Sequence, residues 1–395
     1  MLNRRLLRIR AMQHLYAYQR CRQANYELAF EFIRESFAPD LNSMEVQDRE
    51  ALAQQRTQAD ELLTARLEGQ TPAADASRRD VGRRIEQVVD QALRNYHEQC
   101  RKDQRFLRQQ MVARTEKIGD YYRRFLVLPD ALLQEAGRDA QKRSANPRAS
   151  NASGDTQSLT NLINNRLLAA VRNSDALQET VRQQQLSWEG HRTEVRHLLK
   201  VVRSDPDYQT YQALAEPSRE EDIAIVRHIV NSLALNHASI INIFEEDGVN
   251  WEEDKKVIKN LTNRTFKSLK KEDEGIEVAS LTPNWEDDRA FFEELYEQTL
   301  RHDEEYEQLI SEKSKNWAAD RIASVDNVIM KMAIAEMIHF SSIPVKVTIN
   351  EYVDISKLYS TQKSRQFING ILDVVSQELQ KQGLIRKSGR GLMDN

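Results

Sequence analysis

Glycine and proline are scarce in this chain, twelve and eight among 395 residues, and that removes the punctuation a turn-rich β-protein needs. Only two cysteines occur, Cys21 and Cys100, which excludes a disulfide framework and fits a reducing compartment. No apolar run approaches the ~20 residues needed to span a bilayer. The basic N-terminus lacks the apolar segment of a signal peptide. A soluble cytoplasmic protein without membrane contact is the expectation. Catalytic signatures are missing too: there is no GxGxxG, GxxxxGK[ST], GxSxG or HExxH. The eight histidines are dispersed. His97 and Cys100 stand at i and i+3, but two ligands do not close a tetrahedral metal site. A non-enzyme with no cofactor, metal or small-molecule substrate is therefore expected. A net charge of −4 names no partner, so the distribution of charge has to be read along the chain.

What remains is dominated by Ala, Leu, Glu, Arg and Gln, so the fold class is all-α, in two or three domains. Residues 1–22 carry Arg4, Arg5, Arg8, Arg10, Arg20 and Arg22 and no acid. Leu7, Ala11 and Leu15 form one apolar face of this helix, and Leu2, Leu6, Ile9 and Tyr16 another. It reads either as a buried helix with a solvated first turn or as a phosphate-binding arm, with Tyr16 as a stacking surface. Residues 25–122 read as long helices broken near Pro39 and at Gly69-Gln70-Thr71-Pro72. Residues 78–124 hold thirteen Lys or Arg against seven Asp or Glu, a solvated face or an accessory RNA surface. From Gly137 to Thr160 small polar residues dominate, as in a linker.

An internal repeat follows. Asp222–Asp254 aligns without gaps on Asp288–Asp320 at an offset of 66 residues. Val226 matches Phe292, Ile229 matches Leu295, Ile240 matches Tyr306 and Ile243 matches Leu309. Asn250-Trp251 and Asn316-Trp317 anchor the two copies, and Ser187-Trp188 is a weaker third. The pattern predicts a shared helix–turn–helix unit with each Trp as a packing anchor.

The stretch SIPVKVTINEYVDISKLYSTQKSRQFINGILD, from Ser342 to Asp373, organises the C-terminal region. Pro344 ends one helix, and Thr348 with Glu351 has the form of a capping box opening the next. Ile349, Val353 and Leu358 set an apolar stripe beside Tyr352. Thr361 or Ser364 caps a second helix, in which Phe367, Ile371, Val374 and Val375 recur at helical spacing. Gly370 in mid-helix implies a neighbour close to the backbone.

The blocks V-K-V-T-I-N-E-Y-V-D-I-S-K and S-R-Q-F-I-N-G-I-L-D resemble the C-terminal signature of NusB transcription antitermination factors. R-R-L-L-R-I-R-A-M-Q-H-L-Y resembles that family's arginine-rich N-terminus. The resemblance covers residues 1–22 and 287 to the C-terminus, with a large helical insertion between. It implies a NusB-like helical bundle built from an N-terminal helix (1–24) and a C-terminal domain (281–383). The insertion then falls into a first lobe with linker (25–156) and a second lobe with the repeat (157–280), and 384–395 is a tail. It also implies binding of single-stranded boxA-type leader RNA of ribosomal transcripts, together with the ribosomal protein NusE, on elongating RNA polymerase. The RNA surface implied is Arg4, Arg5, Arg8 and Tyr16 with Lys363, Ser364, Gln366 and Phe367. Glu336 is implied to contact the protein partner. Lys363 and Gln366 depart from the family's usual charges, while Lys363 and Arg365 keep the surface positive. The competing expectation is a helical scaffold of the same fold that binds protein and no RNA, favoured by the repeat, the acidic second lobe and the size of the insertion.

Overall fold

The computed structural model describes all residues except 1, 41, 43–45, 70–78, 146–158, 249, 270–274, 315–322 and 393–395, together with the side chains of 79–81, 142–145 and 247. Among the described residues there are sixteen α-helices and no strand. They form two units, one from Met1–Leu7 and Val112–Arg289, the other from Arg8–Met111 and Ala290–Asn395.

Three long helices open the chain: α1 (Arg4–Ser36), α2 (Arg49–Leu67) and α3 (Arg79–Ala145). The breaks expected near Pro39 and Gly69 fall between them. Residues 137–145 of the expected linker are helical, because α3 continues through Pro129 and Gly137, and 146–158 lie outside the described residues. Asn3 caps α1, its side chain accepting from the Leu6 N–H at 2.9 Å. Asp48 does the same for α2, accepting from Glu50 and Ala51.

In the unit that contains Val112–Arg289, eight helices follow α3: α4 (Thr160–Ile163), α5 (Arg166–Arg172), α6 (Asp175–Gln183), α7 (Arg192–Ser204), α8 (Pro206–Gln212), α9 (Arg219–His228), α10 (Ala238–Asp247) and α11 (Trp251–Lys267). Its core is aromatic. Trp251 stacks on Phe244 with centroids 4.9 Å apart, and Phe125 lies 6.0 Å from Trp251. Trp188 is buried beside them and donates its indole N–H to the Arg124 carbonyl at 2.8 Å. Trp188 and Trp251 are thus packing anchors, as the repeat predicts. Trp317 lies outside the described residues. Where both copies are described their burial agrees: Val226 and Phe292, Ile229 and Leu295, and Ile240 and Tyr306 are buried, while Ile243 and Leu309 are half-buried.

The other unit holds most of α1, all of α2 and the first part of α3. Ala29, Ile33, Phe37, Ala59, Leu63, Ile85, Val89 and Ala92 form one apolar cluster there. After α12 (Trp285–Arg301) it adds α13 (Asp303–Lys313), α14 (Ser324–His339), α15 (Val345–Tyr359) and α16 (Gln362–Lys381). Helix α14 is buried from Val328 to Met337 on every face, as befits an all-round apolar helix, and it packs against α13, α15 and α16.

Three local expectations change. Helix α15 begins at Val345 with Pro344 as its N-cap, so Thr348 and Glu351 form no capping box. Thr348 is buried and donates to Glu336 instead. Leu358 and Val374 are 65% and 50% exposed, so neither belongs to the core stripe. Gly370 has nothing within 4 Å of where a Cβ would stand, so no neighbour approaches its backbone. Thr361 is the residue that caps α16, accepting from the Ser364 N–H.

Candidate nucleic-acid interface

Helix α1 buries Ala11, Met12 and Leu15, and that fixes which side chains of the next turn face solvent. Tyr16 is 37% exposed, and the Arg20 guanidinium lies over its ring at 4.9 Å, at the i+4 position. Arg20 is also held by the Ser324 hydroxyl at 2.7 Å. One turn before Tyr16, the Gln13 amide donates to the Tyr359 hydroxyl at 3.4 Å. Tyr359 ends α15, two residues before the Thr361 cap of α16. This bond ties α1 to the end of α15, just before the Thr361 cap of α16. No acid lies in the first turn of α16. There Lys363 and Gln366 are exposed, while Ser364, Arg365 and Phe367 are half-buried. Beside Arg20 the surface opens into a groove of about 950 Å³, lined in part by Tyr18, Tyr26, Tyr96 and His97.

Arg4 and Arg5 belong to the unit of Val112–Arg289. Arg4 is exposed, 3.9 Å from Asp288, and Arg5 is half-buried. Arg8 and Glu336 require correction. Arg8 is 3% exposed and Glu336 0%, and they bind each other in two parallel bonds, Nε–Oε2 at 2.7 Å and Nη2–Oε1 at 2.8 Å. Thr348 and Tyr352 complete the Glu336 shell with hydroxyl bonds at 2.8 and 3.1 Å. Phe291 stacks against Arg8, 5.3 Å from guanidinium to centroid. Burial opposes the Arg8 charge, but the Glu336 carboxylate more than offsets it and raises the pKa. Burial, then the same carboxylate, pushes the Tyr352 hydroxyl well up. This network is internally satisfied, so neither Arg8 nor Glu336 offers its charge to an RNA or a protein partner.

Sequence reasoning missed Arg20 and Gln13 as members of the surface. Their spacing from Tyr16, four residues after and three before, is the signal that identifies them. His97 is exposed and Cys100 is buried, with the Asn25 amide 3.7 Å from its sulfur. Neither belongs to the one three-ligand group among the described residues, Asp205, Asp207 and His228.

Comparison with known proteins places this geometry in a family. The NusB family model matches residues 253–377, which hold Glu336 and the Lys363–Phe367 turn but not α1. A protein of Salinibacter ruber named transcription antitermination protein NusB is 39% identical over 105 residues, 27% of this chain and 66% of that protein. Its namesake from Chloroherpeton thalassium is 39% identical over 106 residues, 27% of this chain and 50% of that protein. That from Bacillus pumilus is 37% identical over 92 residues, 23% of this chain and 70% of that protein. The chain thus spans between half and about two thirds of the length of the first two relatives. No solved structure matches. With 70% of a relative covered at 37% identity and an all-helical bundle around α14, the chain belongs to the NusB family.

Proposed function

We propose that this protein is a non-enzymatic, RNA-binding transcription antitermination factor. Its ligand in this reading is boxA-type single-stranded leader RNA, engaged with NusE on elongating RNA polymerase. The observation that carries the reading is the exposed Tyr16–Arg20 pair set beside the acid-free start of α16. A ring with a cation on it, followed by Lys363, Gln366 and half-buried Phe367, supplies stacking, phosphate contact and amide donors, the groups that single-stranded RNA sites combine. The names of the relatives point the same way. Arg8 and Glu336 position α1 against α14 and α15 in this account. Any contact to NusE is left to exposed side chains.

The test is fluorescence anisotropy with a labelled boxA-like RNA across a salt series. Tyr16→Ala and Phe367→Ala should each cost about 1–3 kcal/mol of affinity, the range for one lost base stack. Phe367→Trp should recover most of it. Affinity unchanged in both alanine variants, with melting unchanged, would leave the scaffold reading in its place.

A further inference from the structure

The unit of Val112–Arg289 contains an open groove of about 810 Å³ between α9, the turn after it and α11. One wall is a row on α11. Ile258, Leu261, Thr262, Thr265 and Phe266 are buried, so helical geometry turns Lys259, Asn260, Asn263, Arg264 and Lys267 to the other side, and all five line the groove. Four residues advance a helix by about 6 Å, so Lys259, Asn263 and Lys267 form a straight ladder with Arg264 beside it. Arg227 of α9 faces the same space. Among the described residues Asp207 is the sole carboxylate in the lining, against the four cations Arg227, Lys259, Arg264 and Lys267.

Two features separate this row from an ordinary solvated helix face. Several other arginines in the unit are matched: Arg166 with Asp222, and Arg138, Arg192 and Arg196 with Glu135. Among the described residues, Arg227, Lys259, Arg264 and Lys267 have no carboxylate within ion-pair distance. The floor is also built. The backbone from Ile229 to Leu233 widens into a π-turn, a local insertion common at binding sites. There Asn231, 4% exposed, donates to Asn263 Oδ1 at 3.0 Å and accepts from the Thr262 hydroxyl at 2.8 Å. Asn263 is thereby held with its oxygen engaged, and among the described residues its Nδ2 has no acceptor. Among the described residues no aromatic ring lines the groove, so they can track phosphates and offer bases no stacking platform.

We propose that this groove binds the phosphodiester backbone of a single-stranded nucleic acid. It shares no residue with the Tyr16–Phe367 surface and stands without it. A single ladder of cations with one facing arginine fits one strand.

The experiment uses the full chain with fluorescein-labelled polyuridylate, anisotropy and a salt series, on both the wild type and the Y16A/F367A background. The variants K259A/R264A/K267A and K267A alone change exposed side chains, so melting should not move. Each lost phosphate contact lowers the slope of log K against log salt by about 0.7 for single strands. The triple variant should therefore lose about 2 in slope and K267A about 0.7, on either background, while K259R/K267R should keep the wild-type slope. An unchanged slope in K259A/R264A/K267A overturns the groove while leaving the Tyr16 surface intact. A slope that moves with the groove variants but not with Y16A/F367A upholds the groove and sinks the other reading. Absence of any binding by the wild type overturns the proposal. So does displacement of the RNA by polyglutamate or inorganic phosphate at equal charge concentration, which would assign the groove to acidic protein or free phosphate.

Discussion

Replacing Glu336 by Gln probes the Arg8–Glu336 node with almost no change of shape. The native carboxylate accepts four bonds, two from Arg8 and one each from Thr348 and Tyr352. Removing one partner of a buried ion pair costs about 3–5 kcal/mol, because the other charge stays desolvated. Glu351 lies 3.5 Å from Arg8 Nη1 and is only partly exposed, so it offsets some of that loss, and the lower end, about 3 kcal/mol, is expected. At about 2–4 °C per kcal/mol for a unit of this size, the melting transition should fall by roughly 6–12 °C. The assay is urea unfolding followed by helical circular dichroism, with thermal melts beside it. Arg8→Met should cost a similar amount. The double variant R8M/E336L should cost clearly less than the sum, since the charges leave together. A Glu336→Gln protein within about 1 kcal/mol of wild type would refute the buried node. So would an Arg8→Met protein of native stability that had lost RNA binding, which would return Arg8 to the ligand surface.

Trp251→Ala should destabilise the protein by about 3–5 kcal/mol, because it opens the stack on Phe244 and Phe125; urea unfolding checks it, and a loss under 1 kcal/mol would remove Trp251 from the core. Glu135 should govern acid stability: burial pushes its carboxyl up, but bonds from Arg192, Arg196 and Arg138 win and hold it down at about 2. Since the folded value lies below the ordinary one, the stabilisation is present above about pH 4.5 and drains as pH falls towards 2. Glu135→Gln should flatten the pH dependence of the midpoint in that window, and an unchanged profile would count against the cluster. Gly370→Ala should raise stability by about 0.4–1 kcal/mol, since the glycine is helical with open space around it; a loss on thermal melting would point to a neighbour at that backbone.

The sequence by itself determined the helical class, the breaks near Pro39 and Gly69, a cap at Thr361 or Ser364 and the packing role of Trp188 and Trp251. Each rests on short-range causes: the missing N–H of proline, the reach of a cap hydroxyl, the 3.6-residue period of apolar side chains. Residue type and local spacing could not say which charges lie inside. Arg8 sits in an arginine-rich, acid-free segment and reads as a solvent-facing phosphate ligand; only the arrival of Glu336 from 328 residues away turns it into a buried cation. Thr348 and Glu351 match a capping box in spacing, yet helix α15 starts three residues earlier and spends them on Glu336 and Arg8. Tyr16 was legible as a surface ring. That the turn before it is tied to the end of α15 was not, because the Gln13–Tyr359 bond joins positions 346 apart. Hydrophobic periodicity fixes the faces of each helix. Which faces meet, and so which polar groups are desolvated together, is a property of the packed bundle alone.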